Sequence, residues 1–337
     1  MRPLPGRLLT DMDRAGGEPT GPALAPGTWR VPRPVLAGSL TIALILMAPL
    51  AIVYAASGTG AVLAVGMGYT GSLTPALKLR PTYSLALAIP AALTGVVASG
   101  IAGQALPAAC FVALACLLVA PANLVQNGLL AGIPTIAAVY ATLPAGQDPV
   151  QVGTWMLVGG AIVVALSAVT RLKAPAQPAG VEPWTAWAHA IAMAVVVGVV
   201  VLLLGVVDVP HGYWIAMTMT IVLRPYGAET QSVARQRVAG TTLGAVLALA
   251  LALVLPAWAA LGVAVALLVL VVANALMGRY AQQVMFLTPF IVLIGSGAGA
   301  DTVGVALQRI VATLLGALLA AGIALGLWRL DQWRQQT

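Results

Sequence analysis

Charged residues are scarce in this sequence. Only 7% of the 337 residues are charged, whereas 61% are hydrophobic and the mean hydropathy is +1.00. Because a soluble globular domain carries about 25% charged residues, this composition excludes one and indicates an integral membrane protein. Stretches of about ten residues with alternating hydrophobicity, the mark of a transmembrane β-barrel, are also missing. The sequence therefore predicts an all-α polytopic membrane protein.

Cysteines and catalytic motifs are sparse too. Cys110 and Cys116 lie six residues apart in one apolar stretch, where a helix separates them by about 9 Å and points them in different directions. They predict neither a disulfide nor a metal site, and no cofactor is expected. The sequence contains no G-x-x-x-x-G-K-[ST], G-x-S-x-G or H-E-x-x-H motif. We therefore expect a protein that is not an enzyme.

The net charge is +7, and the sequence pI is about 9.9. In a soluble protein this balance suggests nucleic-acid binding, but the basic residues are not interleaved with aromatic ones, so no nucleic-acid partner is expected. Lys and Arg collect in the cytoplasmic loops of membrane proteins. The lipid bilayer is the expected partner here.

Twelve apolar segments run along the chain, and the polar linker 171–184 divides them into two halves of six. We expect a flexible cytoplasmic tail over 1–34, a first transmembrane half over 35–170, a second one over 185–329 and a cytoplasmic tail over 330–337. The segments are 35–55, 60–78, 83–102, 107–121, 124–141, 150–170, 185–207, 211–224, 238–255, 257–277, 282–297 and 303–328.

The distribution of basic residues predicts the topology. With the N-terminus inside and alternating spans, fifteen of the sixteen Lys and Arg residues fall on the inside, and Arg309 is assigned to an outside loop. The positive-inside rule thus supports about twelve transmembrane helices with both termini cytoplasmic. A ten-span chain with re-entrant pieces is the alternative. Segments 60–78, 211–224 and 282–297 are short or broken by Gly and Pro, a pattern that marks the binding site of many transporters.

One stretch that contains charges is repeated. Residues 227–245 and 299–317 are identical at 11 of 19 positions. Each unit spans three segments, and an odd number of spans reverses the chain. The second half is therefore predicted to hold two three-helix units in inverted orientation (3+3), a common construction of secondary transporters. A weaker match between 68–81 and 212–225 predicts that the two six-helix halves are related as well, with the first a degenerate repeat.

Each copy of the repeat carries an arginine at the head of a stripe of small residues. Positions i, i+3, i+4 and i+7 share one helix face, and small residues there let two helices touch. We expect the two stripes to pack on each other and the arginines to face protein or water. The stripes consist of Arg237, Gly240, Thr241 and Gly244, and of Arg309, Ala312, Thr313 and Gly316.

Arg237 and Arg309, with Thr241 and Thr313, are the candidate substrate-binding residues. Guanidinium groups pair well with carboxylates, which favours a small organic anion. The alternative is that the arginines only anchor the topology, with Arg309 paired to Asp301 or to a carbonyl group.

Glu229 and Asp301 occupy matching positions in the two repeats. They are candidates for proton coupling, and the alternative is that they are counter-ions in loops. Tyr213 and Trp214 are candidates for stacking on a ring-shaped substrate. The alternative for these two is the aromatic belt at the membrane interface.

Residues 211–249 resemble the signature of the fusaric acid resistance protein-like family, which includes aromatic acid exporters. Its members show a Tyr-Trp before an apolar segment, then a Pro, a Gly-Ala and an Arg-x-x-Gly-Thr-x-x-Gly motif. The resemblance extends over roughly 185–328 and implies efflux of small, often aromatic, organic acids across the cytoplasmic membrane of a bacterium. The matching residues are Tyr213, Trp214, Pro225, Gly227, Ala228, Arg237, Gly240, Thr241 and Gly244.

The expected protein is thus an inner-membrane transporter that exports a small organic anion, driven by the proton gradient. Two alternatives belong to other classes: a non-transporting scaffold or assembly subunit, and a passive channel. The sequence leaves open whether the chain acts as a homo-oligomer or with accessory subunits.

Overall fold

Helices are the only regular secondary structure in the part of the chain that the structure describes. A computed structural model describes residues 31–125, 128–170, 180–207, 209, 211–255, 257–296 and 302–336. Within these residues the chain forms twelve α-helices and no strand, which confirms the predicted all-helical class. The helices are α1 (Arg33–Lys78), α2 (Pro81–Gly100), α3 (Ala105–Leu117), α4 (Val119–Val125), α5 (Gly132–Ala141), α6 (Pro149–Thr170), α7 (Pro183–Val207), α8 (Tyr213–Val222), α9 (Gly227–Val254), α10 (Ala257–Leu276), α11 (Tyr280–Ser296) and α12 (Thr302–Gln336).

The first element, α1, doubles back on itself. Its backbone leaves the helical region at Gly58, where φ is 77° and ψ is −169°, a conformation that glycine adopts without steric cost. The Tyr69 hydroxyl donates a hydrogen bond to the Leu46 carbonyl oxygen at 3.0 Å. The residues before and after Gly58 therefore run side by side in opposite directions, as expected for the first two predicted segments.

Seven stretches of helix in the described residues are long and apolar enough to cross a membrane, and four shorter apolar helices accompany them. The shorter ones are α5, α8 and most of α10 and α11. This composition is that of a polytopic membrane protein, while the count of twelve spans stays a prediction.

The predicted segment 124–141 is not one continuous helix. Helix α4 ends at Val125, and α5 begins only at Gly132. Between them Gly128 has a φ of 74°, and its N–H donates to the side-chain oxygen of Asn123 at 2.9 Å. An amide side chain that bonds a backbone N–H in this way competes with the helix, which explains the break that hydropathy does not reveal.

The last helix is longer than predicted. Residues 330–336, expected to form a tail, continue α12, and Arg334 lies 3.6 Å from Glu182. The C-terminal end of α12 is therefore on the same side of the fold as the start of α7. Residues 1–30 of the predicted N-terminal tail and 171–179 of the linker lie outside the described residues.

Helices α9 and α12 form the centre of the second half and run antiparallel. A Cβ placed on Gly227 would lie 3.7 Å from the Ala324 carbonyl oxygen, whereas Arg237 is close enough for its charge to act on Arg309. Helix α8 packs along α12, and α11 packs along α9. The two halves of the chain meet where α3 contacts α7, α1 contacts α10 and α5 contacts α8.

Candidate functional site

The two stripes of small residues, called the glycine stripes below, face the short helices α11 and α8. A Cβ on Gly244 would lie 2.5 Å from the Met285 carbonyl oxygen of α11, and one on Gly316 would lie 2.8 Å from the Ile215 carbonyl oxygen of α8. The prediction that the stripes pack on each other is therefore wrong. Each stripe instead receives the short helix that belongs to the other repeat unit. Glycine is needed because backbones that approach this closely leave no room for a side chain.

Both arginines lie inside helices and not in loops. Helix α9 begins at Gly227, ten residues before Arg237, and α12 begins at Thr302, seven residues before Arg309. At 1.5 Å per residue these offsets correspond to about 15 Å and about 10 Å. The side chains are only 5% and 3% exposed.

The assignment of the two arginines to opposite loops is thus wrong. Hydropathy locates the residue where a purely apolar run begins, whereas a guanidinium that faces protein does not end a transmembrane helix. The repeated arginines belong to the protein interior of the second half.

Each arginine contacts an aromatic residue near the start of a short helix. The guanidinium carbon of Arg309 lies 5.0 Å from the ring centroid of Trp214 in α8, within the range of a cation–π interaction. The Nη1 nitrogen of Arg237 donates a hydrogen bond to the hydroxyl of Tyr280 in α11 at 3.4 Å. Helix α8 packs against the stripe of α12 and helix α11 against the stripe of α9. Each arginine therefore contacts an aromatic residue of the short helix that packs on its own stripe.

Trp214 also belongs to a stack of rings. The His211 ring lies 5.3 Å from it in a stacked arrangement, and the Tyr213 ring lies 5.4 Å away, edge to face. His211 has a φ of 57°, which is uncommon for a residue other than glycine. The predicted pair Tyr213 and Trp214 therefore lies in a cluster of aromatic rings beside Arg309.

Several polar atoms of the site have no hydrogen-bond partner in the described part of the chain. They are buried, and no ion pair joins either arginine to a described carboxylate. An unpartnered buried polar group is costly, and an unpaired buried charge more so, which favours a bound anion. The atoms are Nε of Arg237, Nη1 of Arg309, Oγ1 of Thr241 and Oγ1 of Thr218.

The structure unites some of the predicted site residues and leaves others apart. Thr241 and Thr313 are buried on the same faces as the arginines. Glu229 is exposed in the first turn of α9, eight residues before Arg237. Asp301 lies outside the described residues. No group of three or more His, Cys, Asp or Glu side chains in the described ranges is placed to hold a metal ion.

Sequence reasoning missed Thr218. It lies opposite Gly316, as Thr288 lies opposite Gly244. A second internal match carried the signal: residues 218–223 and 288–293 share Thr, then Ile-Val-Leu, at an offset of 70. This match extends the repeat to the two short helices.

The fold and the site define a polytopic helical membrane protein with two buried arginines that have no carboxylate partner among the described residues. Residues 195–323 match the family model described as fusaric acid resistance protein-like. The match confirms the resemblance predicted from Arg237 and its stripe. Together with the apolar helices, it supports a membrane transporter; that the chain is not an enzyme stays a prediction.

A relative in Neisseria gonorrhoeae, named Uncharacterized protein ORF2, is 27% identical over 154 residues. The aligned region covers 44% of this chain and 35% of that protein, so the similarity concerns about a third of the relative. No solved structure matches this chain.

Proposed function

We propose that this protein exports small organic anions across the inner membrane of a bacterium and that the proton gradient drives the export. The observation that supports this most is the pair of buried arginines without a carboxylate partner among the described residues. Two positive charges in the protein interior are costly unless an anion joins them. A carboxylate held between them would accept the hydrogen bonds that Arg237 and Arg309 leave unused.

The surroundings of the arginines favour an aromatic acid. Trp214 and Tyr213 supply ring surface on the Arg309 side, and Tyr280 supplies a ring on the Arg237 side. Thr218 and Thr241 supply hydroxyl groups that have no partner in the described residues. A flat apolar ring with one acidic group matches this combination of aromatic walls and polar centre.

An inverted repeat of three helices accounts for the placement of these groups. Helices α9 and α12 run antiparallel, and each receives the short helix of the other unit on its glycine stripe. Arg237 and Arg309 then approach the membrane midplane from opposite sides. Inverted repeats with binding sites near the midplane are a frequent architecture of transporters that open alternately to the two sides.

Transport by purified protein in liposomes tests the proposal. We expect an imposed pH gradient to drive movement of aromatic carboxylates, and Arg237→Lys and Arg309→Lys to lower the initial rate. Lysine keeps the charge but loses the planar fork, and loss of a charged hydrogen bond corresponds to at least about a tenfold effect. Arg235→Lys is the matched control, because Arg235 is exposed on the same helix, two residues from Arg237.

The same experiment separates the alternatives. A channel would conduct the anions at a rate that does not depend on the pH gradient. A scaffold would show no flux, and its arginines would tolerate replacement. Parental rates in both lysine variants would overturn the anion site.

We further propose that both termini and the linker face the cytoplasm. The contact between Arg334 and Glu182 supports a common side for the linker and the C-terminus. In a chain without its native cysteines, single cysteines at Gln147 and Lys173 should react with an impermeant reagent from opposite sides of the membrane. Labelling of both from one side would contradict this topology.

A further inference from the structure

A small cavity lies where the two halves of the chain meet, on the opposite face of α8 from the glycine stripe of α12. Its volume is about 20 Å³, enough for one water molecule, which needs roughly 10–15 Å³ on this measure. The polar residues that line it are Asn123 from α4, His189 from α7, and Thr220 and Arg224 from α8 and the turn that follows.

His189 lines this cavity, and one of its two ring nitrogens has no hydrogen-bond partner among the described residues. It is 3% exposed. Its Nε2 lies 3.4 Å from the Leu223 carbonyl oxygen, and its Nδ1 is buried with no partner in the described part of the chain. When Nε2 carries the proton, it donates to Leu223, and Nδ1 is left as a proton acceptor.

The side chains that the structure describes around His189 do not offer it a counter-charge. Arg224, a cation, is the charged residue whose field reaches the imidazole. The ionisable side chains that the structure describes on the helices that contact α7 are Cys110 and Cys116 of α3, Tyr140 of α5, Tyr213 of α8, and Arg309, Arg329 and Arg334 of α12. The side chain of Asp331, also in α12, is not among the described ones. Glu182, just before α7, pairs with Arg334. A proton on His189 would therefore add a positive charge beside Arg224.

Helix α8 connects this cavity to the arginine site. Thr220 and Leu223, at its C-terminal end, contact the cavity, whereas Trp214 and Thr218, which precede them in the helix, face Arg309 and the α12 stripe. The helix is only ten residues long. A displacement of its end at Leu223 and Arg224 is therefore transmitted to its other end as a rigid-body movement.

We propose that His189 is the proton-binding residue that couples proton movement to anion movement, an inference that rests on the proposed function. A hydronium ion in the cavity transfers a proton to Nδ1 and remains as water, and the imidazole becomes an imidazolium. Repulsion between the imidazolium and Arg224 displaces the end of α8 and changes the arginine site. The proton leaves by the reverse step when the cavity opens to the other side.

Two variants test this role. In His189→Gln the side-chain amide can still donate a hydrogen bond to the Leu223 carbonyl oxygen. In His189→Asn the side-chain amide occupies the position of Nδ1. Neither amide binds a proton. The probe is benzenesulfonate, which is permanently ionised and cannot carry protons itself. In liposomes we expect its accumulation under a pH gradient to fall at least tenfold in both variants. Exchange of labelled for unlabelled benzenesulfonate without a gradient should stay within twofold of the parent.

The exchange assay also shows that the variants are folded. Trp187→Phe, on the exposed face of the same helix, is the control that should leave both rates unchanged. Undiminished accumulation in His189→Gln would overturn the coupling role alone. Loss of exchange together with accumulation in both variants would also overturn it, because His189 would then belong to the anion path. No exchange by the parent protein would overturn the proposed function and the coupling role together.

Discussion

The helix pairs α2–α6 and α9–α12 match the third and sixth predicted segments of the first and second halves, and they differ in the side chains that lie at their contacts. In the first pair, Met156 of α6 is buried against Gly95 of α2, and Gly153 of α6 receives Val96. In the second pair, each helix carries a buried arginine, Arg237 or Arg309, and the two are close enough for their charges to interact.

The difference extends to the whole of the two halves. The buried polar side chains described in helices α1–α6 are hydroxyl and amide groups, and none is charged. Both halves thus use glycine for close helix contact, but only the second half combines that contact with buried charge. This difference supports the proposal that the anion site lies in the second half, and three predictions test it.

The largest effect on transport and stability is expected at Arg309, because the α2–α6 pair has no buried charge among its described side chains. Arg309→Met should abolish anion transport and raise the free energy of unfolding by about 1–4 kcal/mol, because it replaces a buried charge that has no carboxylate partner among the described residues with an apolar side chain. In the first half, Met156→Leu conserves volume and should cost about 1.5 kcal/mol or less, with transport intact. Thermal unfolding in detergent and liposome flux measure both quantities.

A destabilised Arg309→Met would contradict this prediction. Breaking a buried ion pair costs about 3–5 kcal/mol. A loss of that size would mean that Arg309 has a carboxylate partner, and Asp301 would be the first to examine.

The second prediction concerns the glycine stripe. Gly244→Ala places a Cβ 2.5 Å from the Met285 carbonyl oxygen and 2.7 Å from Cβ of Thr288, so overpacking should cost about 1–3 kcal/mol. Gly262→Ala, in α10, meets nothing within 4 Å and should instead stabilise its helix by about 0.5–1 kcal/mol. Equal unfolding temperatures for the two variants would show that the stripe is not a tight helix contact.

The smallest effect separates two buried hydroxyl groups that both lack a partner in the described residues, Tyr140 in the first half and Thr241 in the second. Tyr140→Phe should leave transport unchanged and raise the free energy of unfolding by about 1 kcal/mol, because an unsatisfied group is removed. Thr241→Val should have a similar effect on stability but slow anion transport. If Tyr140→Phe slows transport as much as Thr241→Val, the first half takes part in the site.

The sequence predicted the components of the site better than their arrangement. The repeat of Arg237 and Arg309 and the stripe positions were visible because identity and spacing are properties of the chain itself. The partner of each stripe was not, because helix α9 could have turned its small-residue face toward either α12 or α11. Thr218 was not predicted, because the match that contains it, between 218–223 and 288–293, has an offset of 70, whereas Arg237 and Arg309 are 72 residues apart.

The ends of the helices were likewise predicted in some places and not in others. The short segment around Tyr213 was predicted as short, because Gly and Pro bound it. The start of α9 was placed too late, since a hydropathy pattern reads Arg237 as a loop residue, although in the folded chain its guanidinium faces protein. The break at Gly128 depends on a hydrogen bond to Asn123, which composition does not reveal.

The amino-acid sequence was enough to show that this protein is helical, lies in a membrane and carries a repeated arginine. Low charge and high hydropathy leave few other solutions for a chain of this length. Three features required the folded chain: the arginines are buried without a carboxylate partner among the described residues, the short helices α11 and α8 pack on the glycine stripes, and His189 borders a cavity between the halves. These features depend on which faces of distant helices meet, and the free energy of that choice is shared among many contacts that no local pattern contains.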